Sequence, residues 1–494
     1  MKKLTFWLSL PLAVISGFAL QGAFPATNFW PLAFVGVFLL LWALLGRGFW
    51  TGFIIGTVAG ATFWLSLINW LTLYLGPVPW LALGILQAIF FGFGAALIGL
   101  AINRGPLRWP SRWGRLGILS IVIASIWTLR ESITSVWPYG GFSWGKLAQS
   151  QSESPLSHDV AWVGTAGLSF IVALSATLVF QVLREKKRSL LVVPILFFVV
   201  AIAVPPVEIS ISGTTNVLAV QGNSKAGLFD HGQPGDILQD HVTGSLPYAG
   251  EDIDMVVWPE NASDVDPLQS ELAALMLTTV SKKLDAPIVA GTITNTKAGE
   301  YFNSSLVWSN GLDAQYDKIH PVPFAEYMPN RELWRTFQPD LVDLVTRDYS
   351  FGKRPNVVDI NGVLAGVAIC FDITDDQQAY QMIDGGAQII LAQTNNADFG
   401  KTSENLQQLA IARLRAIETG RSVVNISTVG TSAIISPSGE TLDSIPAYQP
   451  GAMLDAVPLS SSVTPAMQFG RVIEWSIGAI ALVGLLLILL RRKP

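Results

Sequence analysis

Cys370 is the only cysteine among 494 residues, and it closes the apolar run "LAGVAIC" at 364–370. A lone thiol has no internal disulfide partner, which leaves two readings: a buried apolar residue at a strand end, or a nucleophile. The cysteine alone does not choose between them. Two other apolar runs finish in residue types that a thiol nucleophile needs. "MVVWPENASD" leads into Glu260, and "AQYDKIHPVPFAEYMP" carries Lys318 just past an expected strand, with Glu326 following. A thiol must lose its proton to attack, and a nearby carboxylate can take it. The attacked carbonyl then gains negative charge, which an ammonium and a backbone N–H stabilise. Singly, Glu260 reads as a helix cap or a surface residue and Lys318 as a solvated one. Taken together on separate strand ends, Glu260, Lys318 and Cys370 make a complete set for acyl transfer.

These strand ends lie in a polar insert within an apolar chain. Half of all residues are apolar and only 14% are charged, the balance of a protein that lies largely in lipid. No charged residue occurs from Leu4 to Gly46 or from Gly48 to Asn103. Each run is long enough to cross a bilayer twice at about 20 residues per crossing. Spans are expected at 4–21, 26–46, 49–74, 79–103, 116–136, 160–183, 189–207 and 470–490. The first could be a secretory signal, but no clear small-x-small cleavage site follows it, and it is read as an uncleaved helix. Domains are therefore expected at 1–207 (seven helices), 208–469 (the insert) and 470–494 (a last helix with a basic tail).

Lys2, Lys3, Arg47, the four arginines of "RGPLRWPSRWGR", the "REKKR" loop and the terminal "RRKP" fall on one side of an eight-helix count. Basic loops stay cytoplasmic, so both termini are expected inside and the insert outside. The insert holds 31 of the 36 acidic residues but only 14 of the 31 basic ones, and nothing in it offers nucleic acid the basic face it needs. Its short apolar runs, "VLAVQ", "MVVWP", "PIVAGTI", "SSLVWS", "LAGVAIC", "QIILAQT" and "SVVNIST", alternate with helical stretches such as "LQSELAALMLTTVSKKL" and "SENLQQLAIARLRAIETG". Near-continuous apolar strands alternating with helices predict an α/β sandwich.

"WPE" with Glu260, "PVPFAEYMP" after Lys318 and "CFD" with Cys370 resemble the Glu-Lys-Cys signature of the nitrilase superfamily of carbon–nitrogen hydrolases. With seven helices before this domain, one after it and "GGFSWGKLAQSQ" at 140–151, the whole chain resembles the apolipoprotein N-acyltransferases. The resemblance implies a nitrilase-like αββα sandwich outside the bacterial inner membrane. It also implies a two-step transfer. Cys370 would take an acyl chain from a glycerophospholipid as a thioester and pass it to the N-terminal amine of a diacylglyceryl-cysteine on an apolipoprotein. Glu260 would be the base in both halves, Lys318 would steady the oxyanion, and Glu326, Phe371 and Asp372 would support the site. No cofactor is implied. A polyprenol-phosphate mannosyltransferase is a candidate partner by the same resemblance, although the chain carries no glycosyltransferase motif of its own.

The pattern departs from relatives at several positions. Phe371 and Asp372 follow the cysteine where relatives often carry Tyr and Glu, so a hydroxyl and a methylene are missing beside the site. Ser143 stands where proline is common, and "VQGNSKAGLFDHG" carries no tryptophan to match. His158, His231, His241 and His320 show no metal-ligand spacing, and no metal site is expected. The Asn-x-Ser sequences at Asn261, Asn303 and Asn425 read as accidental rather than as glycosylation sites. Arg130 and Glu131 are read equally as an interfacial pair or as functional membrane residues. The aromatic-rich stretch from Phe324 to Phe351 is read as core packing or as a mobile arm admitting acyl chains from the bilayer. Two other functions use the same features: a membrane-tethered amidase with water as final acceptor, and a transporter or receptor with an inert outer domain.

Overall fold

The computed structural model describes residues 1–224, 226–227 and 232–490. His231, part of the glycine-containing run at 222–232 and the basic tail at 491–494 lie outside the described residues. The chain divides into two compact units, one built from Met1–Val207 with Pro465–Pro494 and the other from Glu208–Thr464.

Among the described residues of the first unit, five helices are long and apolar enough to cross a membrane: Phe49–Leu67, Pro77–Arg108, Gly114–Val136, Ser157–Glu185 and Pro465–Leu489. Three shorter apolar helices, Phe6–Gly22, Pro31–Ala43 and Ser189–Ala203, accompany them. The span expected at 49–74 stops at Leu67, where Leu71 and Thr72 turn back onto the carbonyls of Ile68 and Asn69, and a separate short helix covers Leu71–Leu75. The last helix starts at Pro465 rather than at 470, because proline fits the first helical turn, where its missing N–H is not needed. Arg130 stacks over the rings of Phe91 and Trp127 at 4.6 and 5.0 Å. Beside it, Glu131 accepts from Trp127 Nε1 at 2.7 Å and from the Leu147 amide at 3.2 Å, so this pair anchors the 137–147 loop to its helix.

The elements of the second unit are numbered from its start. They are β1 (Ile211–Gln221), α1 (Asp236–Ser245), β2 (Met255–Val257), α2 (Glu271–Leu284), β3 (Ile288–Asn295), β4 (Tyr301–Trp308) and β5 (Leu312–Asp317). After these come α3 (Arg331–Phe337), α4 (Pro339–Leu344), β6 (Val357–Ile360), β7 (Val363–Ile369), α5 (Asp376–Asp384), β8 (Ile389–Thr394), α6 (Glu404–Thr419), β9 (Ser422–Ser427), β10 (Ser432–Ile435), β11 (Thr441–Ile445) and β12 (Gly451–Ser460). Among the described residues they form two six-stranded sheets, ordered β12-β1-β2-β3-β4-β5 and β11-β10-β9-β8-β7-β6.

Each sheet has three neighbouring parallel strands, β1-β2-β3 and β7-β8-β9, flanked by antiparallel ones. Parallel neighbours need a crossover, and helices supply it: α1 and α2 in the first sheet, α5 and α6 in the second. Strand alternation sorts the side chains. Val217, Ala219, Met255, Val257, Val289, Val307 and Tyr316 meet Ala365, Val367, Ile369, Leu391, Val424 and Ile426 in the core between the sheets. Leu218, Val220, Val256, Trp258 and Ile288 point the other way, onto Leu238, Ala273 and Leu277 of α1 and α2. Strands buried on both faces carry few polar residues, which is why these runs stand out in the sequence. Helix ends are set locally. Ser270 caps α2 by accepting from the Ala273 amide at 3.3 Å, and Gly420 ends α6 in the left-handed conformation.

Candidate active site

Glu260 follows β2 by three residues, and the chain is gripped on both sides as it leaves the strand. Trp258 is fully buried, donates through Nε1 to Ser245 at 3.0 Å, and receives at its carbonyl the Gln393 side chain from the opposite sheet at 2.6 Å. The next residues run against β3 at Gly291, whose amide donates to the Pro259 carbonyl at 3.2 Å. A Cβ there would lie 2.6 Å from Glu260 Cα, so the approach requires glycine. Lys318 follows β5 directly, its amide bonded to the Asn303 carbonyl at 2.8 Å, and its side chain is 1% exposed.

Cys370 follows β7 directly, with φ at +52°, a backbone region disfavoured for a side-chain-bearing residue and found where a strand turns sharply to present a nucleophile. The turn beyond it is tied down on two sides. Asp372 accepts from Tyr316 Oη at 2.8 Å, Gln378 Nε2 at 2.7 Å and the Ile369 amide at 3.2 Å. From α6, Arg415 donates to the Ile373 carbonyl at 3.2 Å and pairs with Asp376 and Glu418. Asp372 thus holds the turn that carries the thiol, with burial pushing its carboxyl up to about 6. Phe371 is half-buried and supplies a ring without a hydroxyl.

The three strand ends converge. Cys370 and Glu260 lie close enough for each to shift the titration of the other. Lys318 Nζ lies 2.8 Å from Glu326 Oε2, which also accepts from the Val322 amide at 2.6 Å. Asn303, on the inner face of β4, donates from one amide nitrogen to Glu260 Oε1 and to Glu326 Oε1, each at 2.7 Å. Gln408 of α6 offers Nε2 to the sulfur at 3.9 Å.

The electrostatics follow from this enclosure. Burial, helped by the negative Glu326, pushes Glu260 up to about 7, while Lys318, Asn303 and Cys370 pull the other way. Burial opposes the charge of Lys318, yet the acidic groups around it, Glu326 first, outweigh that and hold the ammonium above its ordinary range. Burial also pushes the Cys370 thiol well up, Glu260 adds to it, and Lys318 opposes. The arrangement is a neutral thiol beside a carboxylate that titrates near neutrality, with a fixed cation at the same point. It can form an acyl thioester and hand the acyl group on. Among the described residues no group of three or more His, Cys, Asp or Glu side chains is placed to share a metal ion.

The sequence matches two family profiles, an apolipoprotein N-acyltransferase N-terminal domain over residues 16–178 and a carbon–nitrogen hydrolase over residues 219–463. A protein of Mycolicibacterium smegmatis named apolipoprotein N-acyltransferase is 32% identical, covering 97% of this chain and 84% of its own. The chain belongs to the apolipoprotein N-acyltransferase family. A Vibrio vulnificus member of the family is 26% identical over 91% of this chain and 90% of its own. Among solved structures, an amidase from Nesterenkonia sp. aligns at a TM-score of 0.40 and 15% identity, covering 54% of this chain and 97% of the amidase.

The residues singled out by sequence, Glu260, Lys318, Glu326 and Cys370, all lie in this cluster. The sequence does not single out Asn303 or Gln408. Asn303 stands out in the sequence only as an Asn-x-Ser triplet, and its role rests on the register that pairs it with Ile293 across β3 and β4. Gln408 lies four residues beyond Glu404 on α6, a spacing that puts both on one helix face. Two adjacent polar residues in an otherwise apolar helix repeat, "NLQQLAIA", were the available signal.

Proposed function

We propose that this chain is a multi-pass enzyme of the bacterial inner membrane that moves an acyl chain from a glycerophospholipid to the N-terminal amine of diacylated lipoproteins. Membership of the family and the apolar helices support this reading. The observation that carries the mechanism is the meeting of Cys370, Glu260 and Lys318 at three strand ends, with Glu326 locked to the lysine. In the first half, Glu260 takes the thiol proton as sulfur attacks the phospholipid ester. Because the thiol is held protonated, this transfer accompanies attack rather than preceding it. The tetrahedral oxyanion faces the Lys318 ammonium, the C–O bond breaks, and Glu260 returns its proton to the glyceryl oxygen of the departing lysophospholipid. In the second half, the neutral α-amine attacks the thioester, Glu260 takes its proton, and the sulfur leaves and is reprotonated. A base near pH 7 suits both halves, because it releases its proton almost as readily as it takes one up.

The eight-helix count with both termini cytoplasmic, and hence an outward-facing catalytic unit, belongs to this proposal and rests on the distribution of basic loops. So does the role of the 324–351 segment. Its two short helices enclose a small apolar cluster of Met328, Val342 and Val345 with Phe324 and Trp334, while Leu333, Phe337, Leu344 and Phe351 are left exposed. Such side chains suit an arm that dips into lipid. Intact-mass measurement after mixing the purified protein with phospholipid tests the mechanism. A gain of one acyl chain, absent from Cys370→Ala and lost when a diacylated peptide is added, is the expected result. No adduct under any condition would overturn it.

A further inference from the structure

A second buried polar cluster, drawn from the end of β8, the turn after it, β9 and α6, finishes on the sulfur of Cys370. Its centre is Asn396, and the orientation of that amide is fixed by its neighbours. Thr394 Oγ1 donates to Asn396 Oδ1 at 3.1 Å. Ser427 Oγ donates to the same oxygen and accepts from the Gly430 amide at 2.9 Å. With Oδ1 supplied by two hydroxyls, the NH2 of Asn396 points the other way, to Glu404 Oε2 at 2.7 Å and to Gln408 Oε1 at 2.9 Å. Gln408 then has its oxygen committed to Asn396, so its own NH2 faces outward, and the sulfur of Cys370 lies 3.9 Å from that nitrogen. Asn396, Glu404 and Gln408 are each 3% exposed or less. In a shell this closed, reversing Gln408 alone would set its NH2 against that of Asn396.

We infer that Asn396, Glu404 and Gln408 are positioning residues for the nucleophile: they hold an amide N–H against the sulfur of Cys370. The inference rests on Cys370 being the nucleophile of the proposed transfer. A donor aimed at sulfur favours the thiolate that forms on attack, offsetting the burial and the Glu260 charge that disfavour it. The groups facing the thiol are Glu260 from the loop after β2, Lys318 from the end of β5, Glu326 from the segment after it and Glu404 from α6. Glu404 in turn faces Glu260, Cys370 and the phenol of Tyr448, over whose ring Lys401 Nζ sits at 5.3 Å. Burial and the Glu260 charge push the Glu404 carboxyl up to about 8, against the hydrogen bond from Asn396. At neutral pH the group is protonated. Above that range its ionisation sets another negative charge toward the sulfur.

The test is the pH profile of Cys370 alkylation by iodoacetamide on the full-length protein in detergent. It is read by intact mass, and the single cysteine makes the signal unambiguous. Gln408→Leu removes the N–H from sulfur, and its profile is expected to move to higher pH, with alkylation at pH 8 slowed by about fivefold. Glu404→Gln keeps an oxygen for Asn396 but can never ionise, and its profile is expected to move to lower pH, with faster alkylation than the native protein above pH 8. If Gln408→Leu does not fold, Glu404→Gln carries the test alone. Profiles of the folded variants that superimpose on the native one would overturn the inference. Iodoacetamide needs only the thiol, so a missing phospholipid adduct would remove the transfer reading and leave these profiles standing. Superimposed profiles beside a normal adduct would do the reverse.

Discussion

Asn303 bridges two carboxylates that would otherwise repel each other across a few ångströms, and it does so with a single NH2 group. Asn303→Leu keeps the volume and removes both donors, leaving Glu260 and Glu326 each short of a partner in a closed site. Thioester formation is expected to fall by about 100-fold or more, the equivalent of roughly 3 kcal/mol, measured as the initial rate of acyl-adduct formation. The proposed base sets a pH limit. In that role Glu260 works deprotonated, and burial places its titration near 7, so the rate should fall about tenfold per unit as pH drops below that value. Glu404 makes a stability prediction of known sign. Its folded pKa, about 8, lies above the ordinary carboxyl value, so between roughly pH 4.5 and 8 the native protein holds a proton that the unfolded chain has released. Stability contributed through this group therefore declines as pH rises through that window. Glu404→Gln lacks the decline, and its Tm relative to the native protein should climb from pH 5 to pH 8. The meeting of Glu260, Lys318 and Cys370 was legible because a thiol, a carboxylate and an ammonium at separate strand ends are a scarce combination. Asn303 and Asn396 carry no such signal, because their hydrogen bonds depend on which face of a strand or turn they occupy.

At the scale of elements, three strands bring the proposed catalytic groups together and the segments beside them fix where each strand stops. Gly352 lies against the end of β5, where its amide donates to the Lys318 carbonyl at 2.9 Å. A Cβ at 352 would fall on the Asp317 carbonyl oxygen at 2.0 Å, a backbone atom that cannot swing aside. Gly352→Ala should displace Lys318 and remove nearly all acyl-adduct formation, with a lowered Tm. For the arm, a double change of Leu333 and Phe337 to serine deletes two of its exposed apolar side chains. Acylation from liposomes is expected to drop by about tenfold, the scale set by the apolar area lost, with iodoacetamide alkylation as the control for an intact site. The seven strands expected from their apolar runs are all present, because strands buried on both faces leave an unbroken apolar signature. The outer strands lacked one. β11 has four exposed residues of five, and β12 is interrupted by Asp455 and Pro458. Edge strands pair on one side only, and their sequences are correspondingly freer to be polar.

For the molecule as a whole, the division into an apolar and an acidic unit was legible because lipid and water select opposite compositions. Helix limits were less so, since an apolar run does not say where a backbone turns. Orientation can be read chemically. With the native thiol removed in Cys370→Ala, a cysteine introduced at exposed Lys297 should react with a membrane-impermeant maleimide in intact spheroplasts. Labelling only after permeabilisation would reverse the proposed topology. The left-handed backbone at Cys370 has a further consequence. A residue bearing a Cβ is held there against its own preference by about 1–2 kcal/mol, and glycine is not. Cys370→Gly should therefore melt above Cys370→Ala, a dead protein sturdier than its alanine counterpart. Selection for durability alone would have discarded the thiol's perch.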